Sequence, residues 1–159
     1  MLGTKRAARE AVKRIAEAAG VPFVTGRWLG GTISNWNEIR KDIKKFNDIS
    51  SGLESGKYAD ISKKDLSILN KEKTRLERMI GGLSKLDKLF DILFVVDSGF
   101  EKTAVKEARE KGIKVVAIVD SDSNPEKVDM AITANDDNVK SISLIVEEVG
   151  KAIKAAGVK

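Results

Sequence analysis

Two patterns in the sequence predict a doubly wound parallel α/β fold interrupted by a helical hairpin. After Asp91 the apolar runs Ile92 to Val96 and Val115 to Val119 alternate with helical periodicity, and Val/Ile runs buried on both faces belong to parallel sheets. Between residues 32 and 83 the spacing changes to sustained three- and four-residue apolar steps, which predicts two long helices paired as an antiparallel coiled coil. The predicted body is therefore 1–31 with 84–159, and the inserted arm is 32–83. At 159 residues and 42% apolar composition, the chain has the material for one core that needs no disulfide, metal or lipid.

Met1 to Thr4 reads as the tail of a strand, followed by an amphipathic helix from about Arg6 to Ala19 with Ala8, Val12, Ile15 and Ala19 inward. Gly20 ends it, and Val21 to Thr25 reads as a short strand. A glycine-rich turn, Gly26 to Gly31, opens the arm. Ile33, Trp36, Ile39, Ile43, Phe46, Ile49 and Leu53 then recur at helical spacing, and about 22 such residues extend roughly 33 Å. Gly52 to Asp60 is a polar turn, and Ser62 with Asp65 three residues on predicts a capped start to the return helix. That helix carries Leu66, Leu69, Leu76, Ile80 and Leu83 in heptad rhythm, with Lys73 in the remaining core position. The pair either projects from the body or lies flat on the core; the narrow seam and charged outer faces favour projection, with Gly81 and Gly82 marking its return. Beyond Ile92 to Val96 the sequence predicts a helix near Thr103 to Lys111 closed by Gly112. A strand at Lys114 to Val119 and a short one at Ala131 to Thr133 follow. A closing helix from Asn138 to Ala156, with Val139, Ile142, Val146, Val149 and Ile153 inward, completes a flavodoxin-like body.

Composition excludes most familiar catalysis. The chain has no Cys and no His, which removes thiol nucleophiles, Ser-His-Asp relays, haem and iron–sulfur ligation, and zinc sites. No cofactor and no metal are expected, and the missing cysteines agree with a reducing compartment. No apolar run approaches the roughly 20 residues that cross a bilayer, and the start lacks a signal-peptide pattern. A soluble intracellular chain with no membrane partner is the expectation.

Charge is distributed unevenly. Residues 1 to 90 carry 19 Lys and Arg against 11 Asp and Glu, whereas residues 91 to 159 carry 10 against 13. A positive balance gathered in one region is what phosphate contact requires, because each cation that replaces a condensed counterion favours binding entropically. Lys5, Arg9 and Lys13 form an i, i+4 ridge with Arg6 beside it. Arg40, Lys41, Lys44 and Lys45 cluster on the outgoing arm helix, and Lys71, Arg75 and Arg78 on the returning one. Any single cluster is explained by a solvated helix face; three in one basic region are not. The turn holding Arg27, Trp28, Gly30 and Gly31 adds an arginine, backbone amides and an indole that can meet a phosphate or stack on a base, unless Trp28 plugs the junction of arm and body.

Two enzyme readings compete with this. Gly26 to Thr32 has the glycine spacing of a phosphate-binding P-loop, but Thr32 stands where its lysine belongs and Ile33 where its magnesium ligand belongs. Asp97, Asp120 and Asp122 fall at the carboxyl ends of the predicted strands, where clustered carboxylates hold magnesium for phosphoryl chemistry. The alternative function is therefore a magnesium-dependent phosphate-handling enzyme, against the plainer reading that these side chains cap turns.

The string Arg27-Trp28-Leu29-Gly30-Gly31, with Thr32 and Asn35-Trp36 after it, resembles the signature of the second protein of the bacterial small ribosomal subunit. Gly3-Thr4-Lys5-Arg6-Ala7, Gly81-Gly82, Leu93-Phe94-Val95-Val96-Asp97 and Ala117-Ile118-Val119-Asp120 are similar to further motifs of that family in the same order. Asn124-Pro125 and Asn135-Asp136-Asp137 continue the likeness. The resemblance implies a non-catalytic ribosomal protein that assembles with small-subunit ribosomal RNA, near the junction of head and body, in the cytoplasm or an organelle. It further implies contact with neighbouring small-subunit proteins and help in recruiting the large ribosomal protein number one. RNA contact carries over onto Lys5, Arg6 and Arg27; the arm clusters carry over only as charge. Family members have further chain before the point matching Met1, so the first strand is expected to be a stub.

Overall fold

A computed structural model describes residues 1–157. Among these, five helices and three strands follow one another as α1 (Arg9–Ala19), α2 (Trp36–Glu54), α3 (Lys63–Ile80), β1 (Ile92–Val96), α4 (Lys102–Glu110), β2 (Lys114–Val119), β3 (Met130–Thr133) and α5 (Val139–Ala155). Short 3-10 turns occupy Gly81–Leu83 and Pro125–Lys127.

The strands form a parallel sheet in the order β1-β2-β3. Leu2 extends it, bridging in parallel to Val95 on one side and to Val24 on the other. In chain order the five parallel segments therefore lie 2-1-3-4-5, the flavodoxin arrangement, whose order reverses between Leu2 and β1. The first of these segments is a bridge at Leu2: the Leu2 N–H donates to the Phe94 carbonyl at 2.8 Å and its carbonyl accepts from the Val96 N–H at 2.9 Å. The expected strand at Val21 to Thr25 shrinks to a single bridge at Val24. Its neighbour on one side is Leu2, and the Phe23 N–H donates to the Gly82 carbonyl instead.

Alternation along the strands sorts the core into two layers. Leu93 and Val95 of β1, with Val115, Ala117 and Val119 of β2, face a cluster shared with Ala104, Val105 and Ala108 of α4 and with the buried side chains of α2 and α3. Phe94, Val96 and Ile118 face the opposite cluster, with Ala8, Ala11 and Val12 near and on α1 and Ile142 and Val146 on α5. A period of two in a strand puts neighbours on opposite faces, and both faces here are covered, as a parallel sheet demands.

Helix ends follow local chemistry. Gly20 closes α1 in the left-handed conformation, its N–H on the last turn's carbonyls. Ser62 caps α3, accepting from the Asp65 N–H at 3.2 Å and donating to the Asp65 carboxylate at 2.7 Å. The first helix starts at Arg9 and not Arg6, because residues 6–8 are a turn closed by the Ala8 N–H on the Lys5 carbonyl. Helix α2 starts at Trp36 and not Thr32, because the preceding amides are bonded elsewhere, as described below. It packs on α3 and on the Gly81–Leu83 turn. Burial fades along α3: Leu76 and Ile80 are buried, while Leu66 and Ile68, a few turns away, are exposed.

Candidate nucleic-acid interface

The crevice at the reversal of strand order is where open α/β sheets hold ligands. Here Lys5 fills it. Its ammonium sits 2.9 Å from Asp97 Oδ2, 2.7 Å from Asp136 Oδ1 and 2.6 Å from Asp137 Oδ1, joining the end of the first strand to the ends of β1 and β3. Burial opposes the charge on Lys5, yet the bonds to Asp136, Asp137 and Asp97 outweigh it and hold the ammonium protonated well above its ordinary range. Burial pushes the Asp136 carboxyl up against the pull of Lys5, and its Oδ2 is buried without a partner. Asp97 adopts a positive φ of 68°, a conformation few residues other than Gly, Asn and Asp tolerate. That turn lets its other oxygen accept the Phe100 N–H at 2.8 Å.

The strand-end aspartates are thus engaged in the fold. Asp120 accepts from the N–H groups of Ser121 and Asp136, which hold it below the ordinary carboxylate range, and Asp122 accepts from the Ser123 hydroxyl. Among the described residues no group of three or more His, Cys, Asp or Glu side chains is placed to hold a metal ion, and the carboxylates that do meet, Asp97, Asp136 and Asp137, meet on the Lys5 ammonium. The magnesium reading therefore lacks a donor set, and the capping reading accounts for the same residues.

The glycine-rich turn is committed in the same way, to a residue the sequence reading passed over. Glu107, buried on the inner face of α4, accepts from the N–H groups of Gly31 at 2.7 Å, Ile33 at 3.1 Å and Ser34 at 3.3 Å. Burial works against its charge, but those three amides outweigh it and keep Glu107 below the ordinary range. The carboxylate occupies the cradle a phosphate would need. A second α4-flanking acid, Glu101, does the same for the first turn, accepting the Thr4 N–H at 2.7 Å; burial raises its carboxyl. The signal for Glu107 was present: a glutamate between Val105 and Ala108 on an otherwise apolar helix face.

Three of the residues expected to touch RNA have partners inside the fold. Trp28 is 9% exposed and belongs to the core, so it plugs the junction and is not free to stack on a base. Gly31 has spent its amide on Glu107, and Lys5 its ammonium on three carboxylates. Gly30 and Arg27 stay exposed at the turn.

The remaining cations divide by local partner. Arg9 donates to the Thr4 carbonyl at 2.7 Å, and Lys13 reaches Glu17 at 4.0 Å. Lys41 pairs with Glu38, while Lys45 and Arg75 share Glu72, whose carboxyl their hydrogen bonds pull down to about 2. Exposed pairs of this kind are weak and open readily to a competing phosphate. Arg6, Arg27, Arg40, Lys44, Lys71 and Arg78 are exposed and have no ion-pair partner among the described residues. The structure brings Lys71, Arg75 and Arg78 together along one groove of α3, whereas Arg6 and Arg27 stand on separate turns of the body.

The parallel sheet thus has its ligand crevice and its amide cradle filled by its own side chains, with spare cations on its surface. Comparison with known sequences adds the family. Residues 1–156 match the family described as ribosomal protein S2. The small ribosomal subunit protein uS2 of Oenococcus oeni (strain ATCC BAA-331 / PSU-1) is 43% identical over 152 residues. That alignment covers 96% of this chain and 58% of the relative, so the chain spans little more than half of that protein's length. The chain belongs to the ribosomal protein S2 family.

Proposed function

We propose that the chain is a structural constituent of the small ribosomal subunit that binds ribosomal RNA without catalysing a reaction. The observation that carries this is the family match along nearly the whole chain, and the disposition of charge supports it. Anionic groups near the body's turns are turned inward onto Lys5 and backbone amides, while Arg6, Arg27, Arg40, Lys44, Lys71 and Arg78 face outward. Cations on the body and on both long helices reach phosphates that are far apart on a folded RNA, and such contacts fix position without reading sequence.

Helices α2 and α3 act in this reading as a coiled-coil arm that projects from the body. Two features support the projection: the pair packs chiefly on itself and on the Gly81–Leu83 turn, with its buried side chains joining the sheet's core cluster, and its apolar side chains lose cover toward Ile68. The exposed end of the arm is then the surface offered to neighbouring small-subunit proteins and to the large ribosomal protein number one. The ribosome concerned is cytoplasmic; no helix among the described residues is long and apolar enough to cross a membrane.

The test is co-sedimentation of the chain with small-subunit ribosomal RNA in a density gradient at physiological salt. Retention with that RNA, resistant to an excess of unrelated duplex RNA, is the expected result. Complete displacement by the unrelated duplex would remove the proposal.

A further inference from the structure

Where the arm meets the body the surface opens into a cleft of about 800 Å³, within the range of sites that enclose a small organic group. Arg9 and Lys13 of α1 stand on one side, Arg78 of α3 and Lys85 beyond it on the other, and Phe23 and Phe46 contribute aromatic walls. Glu17 and Glu77 are its acids, so cations outnumber them two to one in the lining. Lys85 and Arg78 are exposed and have no ion pair among the described residues. A second groove, of about 510 Å³, runs along α3 past Lys71, Thr74 and Arg75. Arg78 and Met79 line both, so groove and cleft share a wall.

We infer that this continuous track takes a single-stranded segment of RNA, its phosphates along Lys71, Arg75, Arg78 and Lys85 and one unstacked base lodged in the cleft against Phe23. The inference rests on the RNA-binding reading above and adds the form of RNA that is held and where. Duplex RNA does not satisfy the cleft, because its bases are stacked and face one another; a splayed nucleotide presents a flat apolar face to an aromatic wall and a phosphate to the cationic rim. Close backbone packing fixes the cleft's wall: a Cβ on Gly26 would lie 2.7 Å from the Arg78 carbonyl and one on Gly82 would strike the Phe23 carbonyl.

The test uses the full chain with small-subunit ribosomal RNA carrying 4-thiouridine, irradiated and mapped to peptides, alongside salt titrations of binding. Cross-links to the peptides around Phe23 and Lys85 are expected. Arg78→Ala with Lys85→Ala should lower the log–log salt slope by roughly 1.4, at about 0.7 per single-strand phosphate contact. Glu77→Gln should tighten binding, which loss of fold could not produce. Both substituted cations are exposed, and a thermal melt checks that the variants fold. Cross-links confined to the Arg27 turn and the outer face of α2, with an unchanged slope in the double variant, would overturn the cleft and leave RNA binding standing. Failure of the unaltered chain to hold ribosomal RNA would overturn both. Displacement of the Phe23 cross-link by an acidic peptide, with RNA still bound, would assign the cleft to a protein partner and reject the inference.

Discussion

The α/β body and the helical pair α2–α3 use charge in opposite ways. In the body, the charges nearest the glycine turns are reciprocal and, apart from the exposed Asp137, buried or partly buried: Lys5 against Asp97, Asp136 and Asp137, Glu107 against three amides, Glu101 against Thr4. On the helical pair, charges lie on the outside, where Lys41, Lys45 and Arg75 have neighbouring acids and Arg40, Lys44, Lys71 and Arg78 have no ion pair among the described residues. A buried charge losing its partner is costly, whereas an exposed one costs little either way. Residues that look alike in a list of cations therefore belong to two classes, one that builds the fold and one that is left over for a ligand.

The sharpest way to break the comparison is Glu107→Ala. It orphans the amides of Gly31, Ile33 and Ser34, and urea denaturation should show a loss of about 4 kcal/mol; Glu107→Gln, which keeps one acceptor, should lose less. The pH dependence has a fixed sign. Glu107 titrates lower in the folded chain than in the unfolded one. Its contribution is therefore complete above the ordinary carboxylate value of 4.5 and drains as pH falls through its lower folded value. Glu101 and Asp136, raised by burial, act oppositely: what they cost at neutral pH is recovered as they protonate. Acid titration of Glu107→Gln should therefore show a flatter decline below pH 4.5 than the unaltered chain.

Next comes Lys5→Met, which leaves three carboxylates facing one another at the strand ends. A loss of about 3 kcal/mol is expected by the same denaturation measurement. Ser62→Ala removes the cap of α3, and about 1 kcal/mol should follow. At the bottom of the scale, Arg40→Ala with Lys44→Ala should move stability by no more than about 0.5 kcal/mol. If that double variant cost as much as Lys5→Met, the division into two classes would collapse.

How far the sequence carried this picture depended on whether the signal was local. Strands Ile92–Val96 and Lys114–Val119 were readable to the residue, because an apolar run flanked by Asp91 and Asp97, or by Gly112 and Asp120, has one interpretation. Gly20 and the Ser62–Asp65 pair marked helix ends through chemistry within a few residues. The errors came where a distant residue decided. Val21 to Thr25 has strand composition, but the partner on one side is a single bridge at Leu2. Residues Thr32 to Asn35 have helical spacing, but the amides of Ile33 and Ser34 go to Glu107, more than 70 positions away, while those of Thr32 and Asn35 close local turns on Leu29 and Gly31. The same holds for the candidate site. Exposed Arg27, Arg40 and Lys44 were found by counting charge, but nothing near Lys5 in sequence reveals Asp97, Asp136 and Asp137. Lys85 was overlooked because its neighbours in the cleft come from α1 and the Val21 to Gly26 segment.

The account stands or falls on what the surplus cations touch, and salt dependence reads that number directly. Binding of the full chain to small-subunit ribosomal RNA should be titrated across salt concentrations for the unaltered chain and for a variant carrying Arg6→Ala, Arg27→Ala, Arg40→Ala and Lys44→Ala. Each lost phosphate contact lowers the log–log slope by about 1, so the variant's slope should fall by roughly 4 while its unfolding midpoint is unmoved. An identical slope in the two proteins would contradict the account.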